Sequence, residues 1–107
     1  MADRTVLDEI AAERRRQIEV EGWTSECDDQ HDEGQMAMAA SCYATVAAWD
    51  DRIRARAALK YTPPFWSLAA EWWKPTTRRR DLIKAGALIV AEIERLDRAA
   101  QEATDVN

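Results

Sequence analysis

The chain has 107 residues, with fifteen Lys and Arg against twenty Asp and Glu, giving a formal net charge of −5. An acidic surface repels phosphate polyanions, which argues against a nucleic-acid polymer or an anionic membrane as the partner of its bulk charge. With 47% hydrophobic residues and only three Gly and three Pro, the composition favours helix over strand and opposes disorder, and a chain this size is expected to fold as one all-α domain over residues 1–107.

The first helix is predicted from about Asp3 to Glu21. Val6, Leu7, Ile10, Ala11 and Ile18 give it a narrow apolar face, and Gly22 supplies a natural stop. Arg14, Arg15 and Arg16 read as a solvated face beside Glu13, Glu19 and Glu21. No apolar core of the secretory kind follows Met1. The longest apolar stretch, residues 85–91 with Gly86 included, is far short of a bilayer span, so the expected location is the cytoplasm.

An acidic cluster, Glu26-Cys27-Asp28-Asp29-Gln30-His31-Asp32-Glu33-Gly34-Gln35, precedes the middle helix. Two readings stand side by side. If residues 31–35 are helical, His31 and Gln35 share a face with Asp32 beside them, and a bound Mg²⁺ relieves the repulsion between neighbouring carboxylates. Otherwise Asp28 or Asp29 caps the helix, the acids complement its positive end, and His31 is an ordinary surface residue. Cys27 and Cys42 match no zinc or redox spacing and read as buried or idle thiols. The middle helix itself is predicted from about Asp32 to Trp49, with Met36, Ala40, Tyr43 and Ala47 on one face, continuing bent or broken through Arg52 to Leu59.

Residues 61–75 hold all three prolines and three of the five tryptophans. Pro63, Pro64 and Pro75 exclude a continuous helix, so this apolar loop must fold back onto the helices or cover a pocket. Its indoles are core by default, with stacking of Trp72 or Trp73 on a nucleotide base as the functional alternative.

The last helix, about 77 to 100, carries Leu82, Gly86, Ile89, Ile93 and Leu96 at steps of four and three. Gly86 costs about 1 kcal/mol relative to Ala there, which points to a closely approaching partner helix. Thr76 or Thr77 is the expected cap. Arg78, Arg79 and Arg80 then oppose the helix dipole, and their charge is offset either by a phosphate-bearing ligand or by pairing with Glu71, Asp81 and the acidic cluster. Three helices with a narrow first face leave apolar area uncovered. The last helix is therefore expected to pack along the middle one and along a symmetry mate in a homo-oligomer.

Taken together, Glu13-Arg-Arg-Arg-Gln, Glu21-Gly-Trp-Thr, Asp28-Asp-Gln-His31, Gly34-Gln-Met-Ala, Glu71-Trp-Trp-Lys-Pro75 and Arg78-Arg-Arg-Asp-Leu-Ile-Lys-Ala-Gly-Ala-Leu-Ile resemble a group of short phage and prophage proteins of unassigned activity. At a greater distance the layout is similar to the all-α nucleoside triphosphate pyrophosphohydrolases of the MazG-like kind. Those enzymes hold Mg²⁺ with E-E-x-x-E on one helix and E-x-x-D on a later one. On that pattern His31 to Gln35 and Arg78 to Asp81 fall in the two motif positions. Asp32 and Asp81 keep an acid, while His31, Gln35 and Arg78 depart from it. The resemblance implies a helical nucleotide-binding scaffold in the cytoplasm, that of the host for a phage-encoded protein, in one of two forms. With Mg²⁺ on Asp32, Asp81, His31 and Asp28 it is a weak pyrophosphohydrolase; with the arginines on phosphate and no metal it is a binder that sequesters a nucleotide or nucleotide signal. A protein-interaction module using the tryptophan-rich loop is the alternative of a different class.

Overall fold

Thr5 opens the first helix. Its hydroxyl accepts from the Asp8 amide and the Asp8 carboxylate accepts from the Thr5 amide, both at 3.0 Å. This reciprocal capping box starts α1 (Val6–Glu19) in a computed structural model that describes residues 4–56 and 62–105. Gly22, at φ 77°, turns the chain so that the Trp23 amide donates to the Gln17 carbonyl at 2.9 Å. α2 (Ser25–Asp29) follows at once, with Thr24 as its cap.

Asp28 and Asp29 therefore lie inside α2 and do not cap the middle helix. That helix, α3 (Gln35–Ala47), begins at Gly34, whose left-handed backbone (φ 83°) takes the cap position without a side-chain bond. Residues 31–34 are not helical, so His31 and Asp32 share no helical face with Gln35. α4 (Asp51–Arg56) is separate from α3; the rest of the expected continuation to Leu59 lies outside the described residues. The 62–77 segment contains only a 3₁₀ turn, Ala70–Trp72. α5 (Arg78–Asp105) has 28 residues, about 42 Å at the usual rise. Thr77 is its cap, accepting from the Arg80 amide at 3.1 Å.

α5 packs along α3 and is crossed by α1. The run along α3 is antiparallel: Arg78 at the start of α5 meets the last residue of α3, Ala47, while Arg98 meets Asp29, ahead of α3. Met36, Ala39, Ala40, Tyr43 and Ala47 of α3 are buried, as are Ala85, Leu88 and Ala91 of α5. The expected face of the middle helix is thus the observed one. Alanines on both sides let the helices approach closely. The tryptophan-rich segment folds back over this pair, with Trp66, Trp72 and Trp73 joining Trp23 and Tyr43 in one aromatic cluster.

Trp73 lies 4.8 Å from Tyr43 and 5.0 Å from Trp66, centroid to centroid. Trp73→Ala is expected to lower stability by about 2 kcal/mol, less than a fully buried indole because Trp73 is half-buried. Urea unfolding checks this, and a loss under about 0.5 kcal/mol would place the residue outside the core.

The apolar stripes of α1 and α5 are turned the other way from the sequence expectation. Leu82, Ile89, Ile93 and Leu96 are each about half exposed, and Val6, Leu7 and Ile18 are exposed as well. α1 buries Glu13, Arg14 and Gln17, and α5 buries Asp81, Lys84, Glu92 and Arg95 beside Ile83, Leu88 and alanines. Only Gly86 meets its expected neighbour. A Cβ there would lie 3.0 Å from Cδ1 of Ile10, so the close approach is by a side chain of α1. The buried charges are tolerated because each is bonded: Glu13 to Arg16 and Arg80, Arg14 to Asp28, Asp81 to Arg54, Lys84 to the Lys74 carbonyl and Glu92 to Arg95 within α5, which offsets much of the cost of desolvation.

Candidate anion-binding site at the crossing of α1 and α5

Glu13 is the centre of the site. Its side chain is fully buried, yet both oxygens are bonded: Arg16 donates from Nε and a terminal nitrogen at 2.8 Å each, Gln17 Nε2 donates at 3.2 Å, and Arg80 adds a further guanidinium bond. Burial pushes the Glu13 carboxyl up, but the Arg16 bonds and the Arg80 and Arg16 charges outweigh it and hold the group below the usual carboxylate range. The bond to Glu13 fixes the Gln17 amide with its nitrogen towards the carboxylate. Gln17 Oε1 is then left buried with no partner among the described residues, in a recess of about 20 Å³ walled by Trp23, Trp72 and Leu88. That space holds about one water.

On the outer side of Glu13 lies an open basin of about 290 Å³ whose charged walls are Arg4, Arg16, Arg80, Glu9 and Glu13. Arg79 holds Glu9 through two bonds at 2.7 and 2.9 Å. Arg4 makes no ion pair among the described residues. Behind the basin, Lys84 donates to the Lys74 carbonyl, and Lys74 itself stands 5.2 Å over the Trp72 ring. Burial pulls the Lys84 ammonium below its ordinary range against the charges of Asp81 and Glu13. Tyr43 receives the Lys74 amide at 3.0 Å, and burial pushes its phenol up to about 12. This corner of an acidic protein is consequently rich in fixed cations.

The three arginines expected to act together diverge. Arg78 donates to the Ala47 carbonyl at 2.8 Å, Arg79 goes to Glu9, and Arg80 goes to Glu13. Their offset against the helix dipole comes from α1 and the end of α3, in place of the expected Glu71, Asp81 and acidic cluster. Asp81 instead accepts from Arg54 at 2.7 Å and from the Thr76 amide at 2.8 Å. Asp28 sits in a different pair, 2.6 Å from Arg14, and burial raises its carboxyl more than Arg14 lowers it. Arg14 is also 3.3 Å from Glu94, thirteen residues beyond Asp81 on α5, or roughly 20 Å of helix.

His31, Asp28 and Asp32 are therefore at one end of α5 and Asp81 is at the other. The structure does not bring the four proposed Mg²⁺ ligands together, and no group of three acidic, His or Cys side chains among the described residues has metal-binding geometry. His31 Nδ1 lies 3.1 Å from the Cys27 carbonyl. Trp72 and Trp73 are held in the aromatic cluster, and the Lys74 ammonium already occupies one face of Trp72. Of Arg14 to Arg16, read as a solvated face, only Arg15 is exposed: Arg14 is buried on Asp28 and Arg16 is committed to Glu13.

Sequence reasoning passed over Glu13, Gln17, Lys84 and Arg54. The available signal was positional. Asp81, Lys84, Leu88, Glu92 and Arg95 follow steps of three and four as regularly as the apolar stripe does, and charges of both signs at helical spacing suit a buried ionic seam.

No protein-family profile, curated protein or solved structure matches this chain. Among the described residues no helix is long and apolar enough to cross a membrane. A separate cavity of about 210 Å³ lies between α3 and the 62–77 segment, lined by Met38, Cys42, Trp49, Pro63, Phe65 and Trp73 among others. Burial raises the thiols of both Cys42 and Cys27 above their ordinary range, which suppresses the nucleophilic thiolate.

Proposed function

We propose that the protein binds a nucleotide or nucleotide-derived anion through its phosphates at the Arg4, Arg16 and Arg80 basin, without hydrolysing it. The observation that carries this reading is that three arginines against two carboxylates, Glu9 and Glu13, line one open basin in a chain of net charge −5. Guanidinium forks match phosphate oxygens in geometry and charge. A basin of about 290 Å³ is close to the lower size of small-ligand sites. Binding without hydrolysis is favoured over pyrophosphohydrolase chemistry because Asp81 is committed to Arg54 and Thr76. The interaction-module alternative is less well supported, since Trp66, Trp72 and Trp73 face the helices and, among the described residues, Phe65 alone of the segment's aromatic residues is exposed.

Calorimetry with nucleoside triphosphates, cyclic nucleotides and inorganic pyrophosphate, with and without Mg²⁺, tests it. Saturable heat is expected without the metal. Arg4→Gln should weaken binding about fivefold at unchanged stability, and Arg16→Gln roughly tenfold or more, as charge-assisted bonds are lost. Release of pyrophosphate from a triphosphate in Mg²⁺ would overturn the non-hydrolytic form. Absence of heat across the panel would overturn the nucleotide reading.

A further inference from the structure

We propose that the outward apolar face of α5, flanked by α1, is where a second copy of this chain docks. The spacing supplies the first observation. Leu82, Gly86, Ile89, Ile93 and Leu96 continue into Ala100 and Ala103 at alternating steps of four and three, the repeat that keeps one seam facing a partner helix over several turns. Within the protomer only Gly86 of this seam is covered closely, by Ile10 of α1; its four large residues are each about half exposed, while α3 packs on the opposite, alanine-rich side.

The second observation is its neutrality. From Leu82 to Leu96 no charged residue occupies a seam position. At its margins Arg79 is held by Glu9 and Glu94 by Arg14. The seam positions from Leu82 to Leu96 therefore meet without placing like charges together, exposed Asp97 lying just beyond them, and a two-fold arrangement lays the same residues against themselves. An anionic membrane finds no row of cations here to hold it.

Area decides how much of the surface takes part. Leu82 to Leu96 is about 21 Å long and one helix is about 10 Å wide, a footprint near 210 Å², small beside the roughly 800 Å² that each partner gives to a standard interface. α1 widens it. Going round α1, Glu13 reaches Arg80 on the far side of α5 and Ile10 reaches Gly86 on the seam. Leu7 and Ile18 lie further round α1 in the same sense by helical spacing, and both are exposed, Leu7 at 77%. Two helices from each copy give a footprint of roughly 400 Å² a side, which places the complex at the weak, reversible end of specific association.

Sedimentation velocity across about 1–500 µM is the test. The wild-type chain is expected to pass from monomer to dimer within that range. Ile93→Glu should remain monomeric throughout, with an unchanged far-ultraviolet spectrum because the position is half exposed in the protomer. Leu96→Lys provides a second variant if the first does not fold. A wild-type chain that is monomeric at every concentration, or seam variants that dimerise as the wild type does, would overturn the proposal. Both outcomes leave the anion site untested by the same measurement, so the two readings fail separately.

Discussion

Arg54→Leu is expected to destabilise the protein by about 4 kcal/mol, in the range for breaking a buried ion pair from one side, and to lower the melting temperature by roughly 15–30 °C. Arg54 and Asp81 are both buried, 2.7 Å apart. The same guanidinium donates to the Val46 carbonyl at 2.6 Å and the Thr76 carbonyl at 2.8 Å. One side chain thereby ties α4 to the end of α3 and to the start of α5. Leucine fills part of the space but leaves the Asp81 carboxylate buried with only the Thr76 amide. Removing both charges, in Arg54→Met with Asp81→Leu, should recover most of the loss, since no uncompensated charge remains. Chemical denaturation of the wild type and of these two variants reads both effects. A loss below about 1 kcal/mol for Arg54→Leu would show that Asp81 reaches another cation.

That ion pair also explains why the fold was easier to read from the sequence than the site. Met36, Ala40, Tyr43 and Ala47 specify α3 and its buried face because an apolar stripe with few competing polar positions has one place to go. Capping chemistry located the start of α5 for the same local reason. α5's orientation was less legible. Periodicity identifies an apolar face, but it does not say whether that face meets the protomer's own core or another molecule. Here the interior side was chosen by Ala85, Leu88 and Ala91, small enough for close packing, together with charged residues whose partners lie far along the chain. Arg14 with Asp28 and Arg80 with Glu13 are separated by 14 and 67 residues. Such pairings depend on tertiary geometry, and nothing in the local pattern around Arg14 distinguishes it from Arg15, which is exposed.

The candidate site was partly legible on similar grounds. Arg80 was picked out by its position against the helix dipole, and it does line the basin. Its companions Arg4 and Arg16 come from α1 and the residues before it, brought there by the crossing of α1 over Gly86. The four residues expected to share a metal were linked by motif position alone. The antiparallel run of α3 and α5 carries them to opposite ends of the bundle.

Glu13→Ala is expected to cost about 3 kcal/mol, the loss of several charge-assisted bonds less what solvent returns to the two arginines. Arg16 and Arg80 are more than a third exposed and can turn outward to water. Gln17 cannot, and its buried amide would lack a partner on both atoms. The same carboxylate gives the protein an acid-sensitive component. Its folded pKa is lowered, so the folded state binds its proton less readily than the unfolded chain. The stability this contributes is fully present above the unfolded value of about 4.3 and is lost as pH falls through the lower folded value. Glu13→Gln should accordingly be less stable than wild type at pH 7, with the gap narrowing below about pH 4. Binding should change in the opposite sense. Glu13 competes with any phosphate for Arg16 and Arg80, so Glu13→Gln removes a negative charge from the basin wall and should tighten anion binding several-fold while the fold weakens. Calorimetry at pH 7 beside denaturation at pH 3.5 and 7 reads both effects. Weaker anion binding in Glu13→Gln would instead mean that the carboxylate's main contribution is to hold the two guanidiniums in place for the ligand.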